Sequence, residues 1–182
     1  MIMIMSDWNE MLLQDLPSVG VTFDAGQFLF ARGDKVSRMY QVVHGEVRLM
    51  RHQRDGTALV VQRAGSGCLV AEASLFADRY HCDALAARPG RARSFSRQSM
   101  KARLATDSTF AQAWMVYLAS EVQSARARIE ILSLKTVSSR LEAWLAWNDG
   151  ALPAKGTWKS IAAEIGVSAE ALYREFGRRR DR

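Results

Sequence analysis

Glu170 and Arg174 stand one helical turn apart in the stretch SIAAEIGVSAEALYREFGRRRDR, and both side chains can read the edge of a base. An arginine guanidinium donates as a fork to guanine O6 and N7, and a glutamate accepts from cytosine N4. The chemistry requires a helix that carries both residues on one exposed face and a turn that aims the helix. The surrounding residues predict both. Trp158 to Ile165 reads as a first helix with Thr157 as N-cap, Gly166 suits a turn at positive φ, and Ser168 caps a second helix from Ala169 to about Arg178. Leu172 and Phe176 then face inward onto Ile161, Ile165 and Val167, and the small Ala162 lets the two helices cross closely. This is a helix-turn-helix pattern, whose second helix enters a DNA major groove. Its base-facing residues are Ala169, Glu170, Tyr173 and Arg174. Lys155, Thr157, Lys159 and Ser168 at the helix N-termini, with Arg178, Arg179 and Arg180 at the end, are the expected phosphate contacts. Taken singly, Glu170 is equally well explained as a favourable charge at a helix N-terminus, and Arg174 as a solvated surface arginine.

Other reactive groups are few. His81, Cys82 and Asp83 are consecutive, but neighbours on a strand point to opposite faces and do not readily chelate one ion. No CxxC pair, nucleophile–base pattern, phosphate loop or paired-carboxylate motif is present, so the expectation is no enzyme, no metal and no cofactor. His44 and His52 flank a strand and read as surface residues. Two cysteines in 182 residues do not make a disulfide framework, which favours a reducing, cytoplasmic setting. The apolar start MIMIMSDW lacks a basic region and is too short for a signal peptide, and no apolar run is long enough to span a bilayer. The net charge of +6 and pI of about 9.7 favour an acidic partner.

The elements that must position this chemistry follow from periodicity. Asp7 to Leu16 predicts a short amphipathic helix with Trp8, Met11, Leu12 and Leu16 on one face, stopped by Pro17. From about Val21 to Arg103, short alternating runs are punctuated by glycine. MYQVVHGEVRLMRHQRDGTALVVQRAGSG reads as strand, turn at HG, strand, turn at RDG, strand and loop, the texture of a small β-roll. Glycine then disappears from Thr106 until Gly150. Ala111, Met115, Leu118, Val122, Ala125, Ile129 and Leu132 recur at heptad spacing, with Met115, Val122 and Ile129 at a and the others at d. β-branched residues at a and leucine at d favour a parallel two-stranded coil. The expected dimer interface is therefore Met115, Leu118, Val122, Ala125, Ile129 and Leu132, against the plainer reading of one helix packed on its own domain. A further helix, Thr136 to Trp147, turns Val137, Leu141, Trp144 and Leu145 inward, and NDGALPAKG links it to the terminal pair.

These parts, in this order, resemble the Crp/Fnr family of bacterial transcription factors over nearly the whole chain. AGQFLFARGDKVSRMYQVVHGEVRL resembles the opening of a cyclic-nucleotide-binding β-roll, LVAEASLF its short helix, and GVSAEALYREF the family's recognition helix. The resemblance implies an α+β chain: a β-roll sensor over 1–105, a dimerisation helix over 106–134, and a DNA-binding region over 135–182 whose usual two-stranded wing the sequence does not reach. It implies a homodimer on a two-fold symmetric site in double-stranded DNA, an effector sensed by the roll, RNA polymerase as a candidate further partner, and no membrane. The expected effector pocket is Ala71, Glu72, Cys82 and Asp83, facing Ser124 of the long helix. Members that bind cyclic nucleotides carry Gly-Glu where this chain has Ala71-Glu72, and Arg followed by Ser or Thr where it has Cys82-Asp83. The guanidinium that would pair the cyclic phosphate is missing, so the expected effector is not cyclic AMP. Glu175 also falls where the motif is usually apolar. The competing expectation is a degenerate member that acts as a ligand- or protein-interaction module without reading DNA.

Overall fold

A computed structural model describes residues 12–54, 58–150 and 155–180, without the side chains of Lys155 and Arg180. The strands are β1 (Ser18–Phe23), β2 (Phe28–Phe30), β3 (Arg38–His52), β4 (Ala58–Ala64), β5 (Leu69–Val70) and β6 (Asp83–Ser96), with a 3-10 turn at Glu72–Ser74. All described pairings are antiparallel, in the order β1-β6-β3-β4, with β2 added to β6 and β5 to β3. The helices are α1 (Arg97–Thr106), α2 (Ser108–Ser133), α3 (Val137–Trp147), α4 (Trp158–Glu164) and α5 (Ala169–Arg180). This antiparallel roll with helices is the α+β class expected from the sequence. The chain divides into two compact units, Met1–Trp114 and Met115–Arg182.

The roll has a dry interior because alternate residues of its long strands are apolar. Tyr40, Val42, Val47 and Leu49 from β3 meet Ala84, Ala86 and Ala92 from β6, closed by Phe23, Phe30 and Tyr80. Phe30 stacks on Tyr80 with ring centroids 3.8 Å apart, and the Tyr80 hydroxyl donates to the Arg38 carbonyl at 2.7 Å. A buried phenol is tolerated because its polar end finds such a partner.

His44-Gly45, expected as a hairpin turn, lies inside β3, which runs through it as one strand with register shifts against β6. Gly45 has φ +96, and a Cβ there would meet the Pro89 carbonyl oxygen at 2.6 Å. Across from it, a Cβ on Gly90 would lie 2.0 Å from the His44 carbonyl oxygen. The two glycines therefore let β3 and β6 kink together at one level. Such bulges bend a sheet and increase its twist. The other expected turn, at RDG, does separate two paired strands: His52 opposes Ala58 across it. Its tip lies outside the described residues.

The segment after β6 is also more helical than its sequence suggests. Ser96 caps α1 by accepting from the Ser99 amide at 3.3 Å. Asp107, in an extended conformation, ends α1 and starts α2 by accepting the Phe110 amide at 2.9 Å. That hydrogen bond, helped by Arg103, holds the Asp107 carboxyl below the usual range. The N-terminal helix expected over Asp7 to Leu16 lies mostly outside the described residues; its end buries Leu13 and Leu16.

In the second unit α3 begins with a reciprocal capping box between Thr136 and Ser139. Leu141 and Trp144 of α3 pack with Ile131, Ile161, Ala162, Ile165 and Leu172 in one core. Along α2, Met115, Val122, Ile129 and Leu132 remain exposed, while Tyr117, Ala127 and Ile131 are buried. The helix thus has two apolar faces, and one of them is uncovered.

Candidate nucleic-acid interface and effector pocket

The last two helices are set by one turn. Gly166 adopts φ +68, and a Cβ there would come within 2.8 Å of Leu132 Cδ2 and 3.1 Å of Arg140 Nη1. Glycine suits the backbone conformation, and any side chain here would have to displace the ends of Leu132 and Arg140. Ala162 is buried and its carbonyl accepts the Val167 amide at 2.9 Å. Ser168 caps α5, its hydroxyl accepting the Ala171 amide at 3.2 Å. Thr157 takes the N-cap position of α4 but makes no side-chain capping bond, because the 3-10 turn Lys155–Thr157 already leads into the helix. Thr157 and Lys159 are exposed. The side chains of Lys155 and Arg180 lie outside the described residues.

On α5 the burial pattern separates two faces. Leu172 and Glu175 are buried, while Glu170, Tyr173, Arg174 and Arg178 are exposed. Ala169 is half-buried and packs toward the core. The Glu170 carboxyl is held low first by backbone hydrogen bonding at the helix start, then by Ser168, Arg174 and Lys159. It is therefore an acceptor at neutral pH, and its charge faces the guanidinium one turn along.

Two residues to which the sequence reading gave no positioning role orient these faces. Trp158 stacks on Phe176 at 4.2 Å and contacts the Tyr173 ring at 5.3 Å, which ties the start of α4 to the middle of α5. Arg140 of α3 donates to four carbonyls: Leu134 at 2.7 Å, Leu132 at 3.0 Å, Ile165 at 3.1 Å and Gly166 at 2.9 Å. It joins the end of α2 to the turn before α5. No sequence pattern signals this, since a lone arginine in an amphipathic helix looks like a solvated residue. Arg140→Ala should lower the urea unfolding stability of this unit by about 2 kcal/mol, with Arg140→Lys restoring less than half, because an ammonium cannot span four carbonyls as a planar fork does. An unchanged midpoint would remove the clamp.

In the roll, Ala71 sits at φ 74 with its methyl group buried. A non-glycine residue there is strained by about 1 kcal/mol, a cost that burial of the methyl offsets. Glu72 opens the 3-10 turn, and Leu75 donates its amide to the Glu72 carbonyl. Cys82 is 1% exposed, and burial, then the charges of Glu72 and Asp83, pushes its thiol up to about 11. Asp83 looks elsewhere: its carboxylate accepts the Arg32 amide at 2.7 Å and pairs with His52 at 3.2 Å. His81 pairs instead with Ser74 at 2.9 Å. His81 and Asp83 thus turn to different partners, with the buried Cys82 between them. Cys82 and Glu72 share a neighbourhood, whereas Asp83 is committed to the strand edge. Ser124 is half-buried on α2. Among the described residues, no His/Cys/Asp/Glu group is arranged to hold a metal ion, and no helix is long and apolar enough to cross a membrane.

The Cys82 thiol should react with an aromatic disulfide at neutral pH about a hundredfold more slowly in the folded chain than after unfolding, since only the thiolate attacks. Equal rates would mean that the packing around Cys82 opens freely.

Residues 20–107 match the family described as the cyclic nucleotide-binding domain. No curated protein matches the chain in sequence. Among solved structures, FixK2 from Bradyrhizobium japonicum superposes with a TM-score of 0.72 at 20% identity, covering 90% of this chain and 84% of its own. The c-di-GMP responsive global regulator CLP of Xanthomonas campestris gives 0.62 at 19% identity, over 97% and 92%. The catabolite activator protein of Thermus thermophilus gives 0.55 at 21% identity, over 92% and 80%. Residues 20–107 therefore form a domain of the cyclic nucleotide-binding type, in a chain with the fold of Crp/Fnr-family transcriptional regulators.

Proposed function

We propose that this chain is a homodimeric DNA-binding transcription regulator whose helix-turn-helix, α4 and α5, reads a two-fold symmetric site, under control of an effector sensed by the roll. The observation that carries the reading is the division of α5. Glu170, Tyr173 and Arg174 are exposed on a helix whose opposite face is anchored by Leu172, behind a turn at Gly166 that takes positive φ. Arg174 reads guanine and Glu170 cytosine, with Thr157, Lys159, Ser168 and Arg178 on phosphates. Selection from random double-stranded DNA tests it. An enriched inverted repeat with half-sites about one helical turn apart is the expected result. Absence of any enriched sequence would leave the chain as an interaction module.

The effector is not cyclic AMP or cyclic GMP. Where a guanidinium would pair the phosphate stands a buried, protonated thiol, raised by burial and by the charges of Glu72 and Asp83 more than the charge of Arg51 lowers it, so a cyclic phosphate placed there would meet two carboxylates. Calorimetry at physiological salt should show no low-micromolar binding of either nucleotide. A site of that affinity would mean that a cation such as Arg51 reaches the phosphate.

A further inference from the structure

Glu175 is the anomaly of α5. It lies three residues after Leu172 and beside Phe176, on the face that packs inward, and it is only 4% exposed. A carboxylate taken from water costs several kcal/mol unless it is paired and hydrogen-bonded. It is both. Arg179 Nε donates to Glu175 Oε1 at 3.1 Å, and Arg178 donates to Oε2. Burial alone would raise the Glu175 carboxyl, but the hydrogen bonds from Ser138 and Arg179 and the charge of Arg178 outweigh it and hold the group ionised. The same Arg179 then reaches across to α3. Its Nη2 donates to Glu142 Oε1 at 3.0 Å, and to the Ser138 carbonyl and hydroxyl at 3.3 Å each.

This geometry conflicts with a role for every terminal arginine on DNA. Two carboxylates, Glu142 and Glu175, face the two cations Arg178 and Arg179, so the four charges cancel locally. The Arg178 side chain is 73% exposed and bound by one partner, whereas Arg179 spends its donors on both helices. We infer that Arg179 is a positioning residue, a strut between the buried Glu175 of α5 and Glu142 of α3 that sets the angle at which Glu170 and Arg174 are presented, and that it is not a phosphate contact. The inference rests on the DNA-binding reading above and assigns this pair of helices a device for specificity.

Glu142→Ala decides the matter by sign, because Glu142 is exposed and its removal does not disturb the core. If only charge mattered, losing an anion would strengthen binding to selected and random DNA alike. On the strut reading, Glu142→Ala weakens the selected site about threefold, the size of an exposed ion pair, without weakening random DNA. Arg179→Ala should lower affinity for the selected site at least tenfold and leave the salt slope unchanged. Arg178→Ala should flatten that slope by about one unit and leave specificity unchanged. Stronger binding by Glu142→Ala to both DNAs, or a flatter slope with equal losses in Arg179→Ala, would overturn the strut. If the unaltered chain binds no DNA, the functional reading fails, and the strut is judged by a double-mutant cycle of Glu142 and Arg179 in urea unfolding. Measurable coupling retains it, and zero coupling removes it.

Discussion

Ile129→Glu should turn a dimeric chain into a folded monomer. Ile129 is 65% exposed on α2, in line with Met115 at 62% and Val122 at 48%, the residues assigned to the a positions of the heptad. An apolar row of this length costs free energy in water, and association of two copies in parallel register would bury it. In a two-fold dimer each substitution appears twice, so two carboxylates would oppose each other in the seam without a cation. The expected loss is about 4 kcal/mol, or roughly a thousandfold in dimer dissociation constant. Because Ile129 lies outside the protomer core, the melting of the roll followed by circular dichroism should not change. Light scattering over a range of concentrations reads the outcome. A dimer that persists would place the interface on another surface, and the symmetric-site reading would lose its basis.

Arg174→Ala should reduce affinity for the selected site by about 1–3 kcal/mol, which is 5- to 150-fold, and relax preference at one base pair per half-site. The expectation follows from exposure and neighbours: Arg174 is exposed on the face that carries Glu170 and Tyr173, and no hydrogen bond to another residue is described for its guanidinium. Random DNA should weaken far less, since there the residue offers only one charge among several. Competition binding at fixed salt measures both. Equal losses on selected and random DNA would reduce α5 to a basic anchor, and the specific-reader hypothesis would fail.

Much of the architecture was legible in the residue pattern because local rules govern it. The glycine-punctuated alternation from Val21 onward produced an antiparallel roll, since period-two burial leaves no other dry packing for short strands. Gly166, Ser168 and Leu172 behaved as their types dictate: positive φ, a capped helix and a buried contact. The heptad along α2 emerged as an exposed apolar row, as its spacing requires of a helix with a second apolar face. Other features were not legible, for equally physical reasons. His44-Gly45 resembles a turn, and only its meeting with Pro89-Gly90, more than forty residues away, makes it a shared kink inside a long strand. The sequence Arg97–Thr106 is polar and weakly amphipathic, so a helix there depends on the Ser96 cap.

The same division holds at the site. Residue types and spacing alone put Glu170 and Arg174 on one helix face, and the resemblance to the family implied that Cys82-Asp83 stand where a guanidinium would pair a cyclic phosphate. Tertiary structure decided which charges are free to act. Arg140, Arg178 and Arg179 are chemically alike in sequence, yet one is spent on four carbonyls, one is exposed with a single carboxylate partner, and one bridges two helices. Asp83, adjacent to the buried Cys82, turns instead to His52 and the Arg32 amide. The reason is range: caps, turns and burial periods are set within a few residues, whereas the partner of a long charged side chain depends on which distant backbone and carboxylate groups the fold brings within about 3 Å of it.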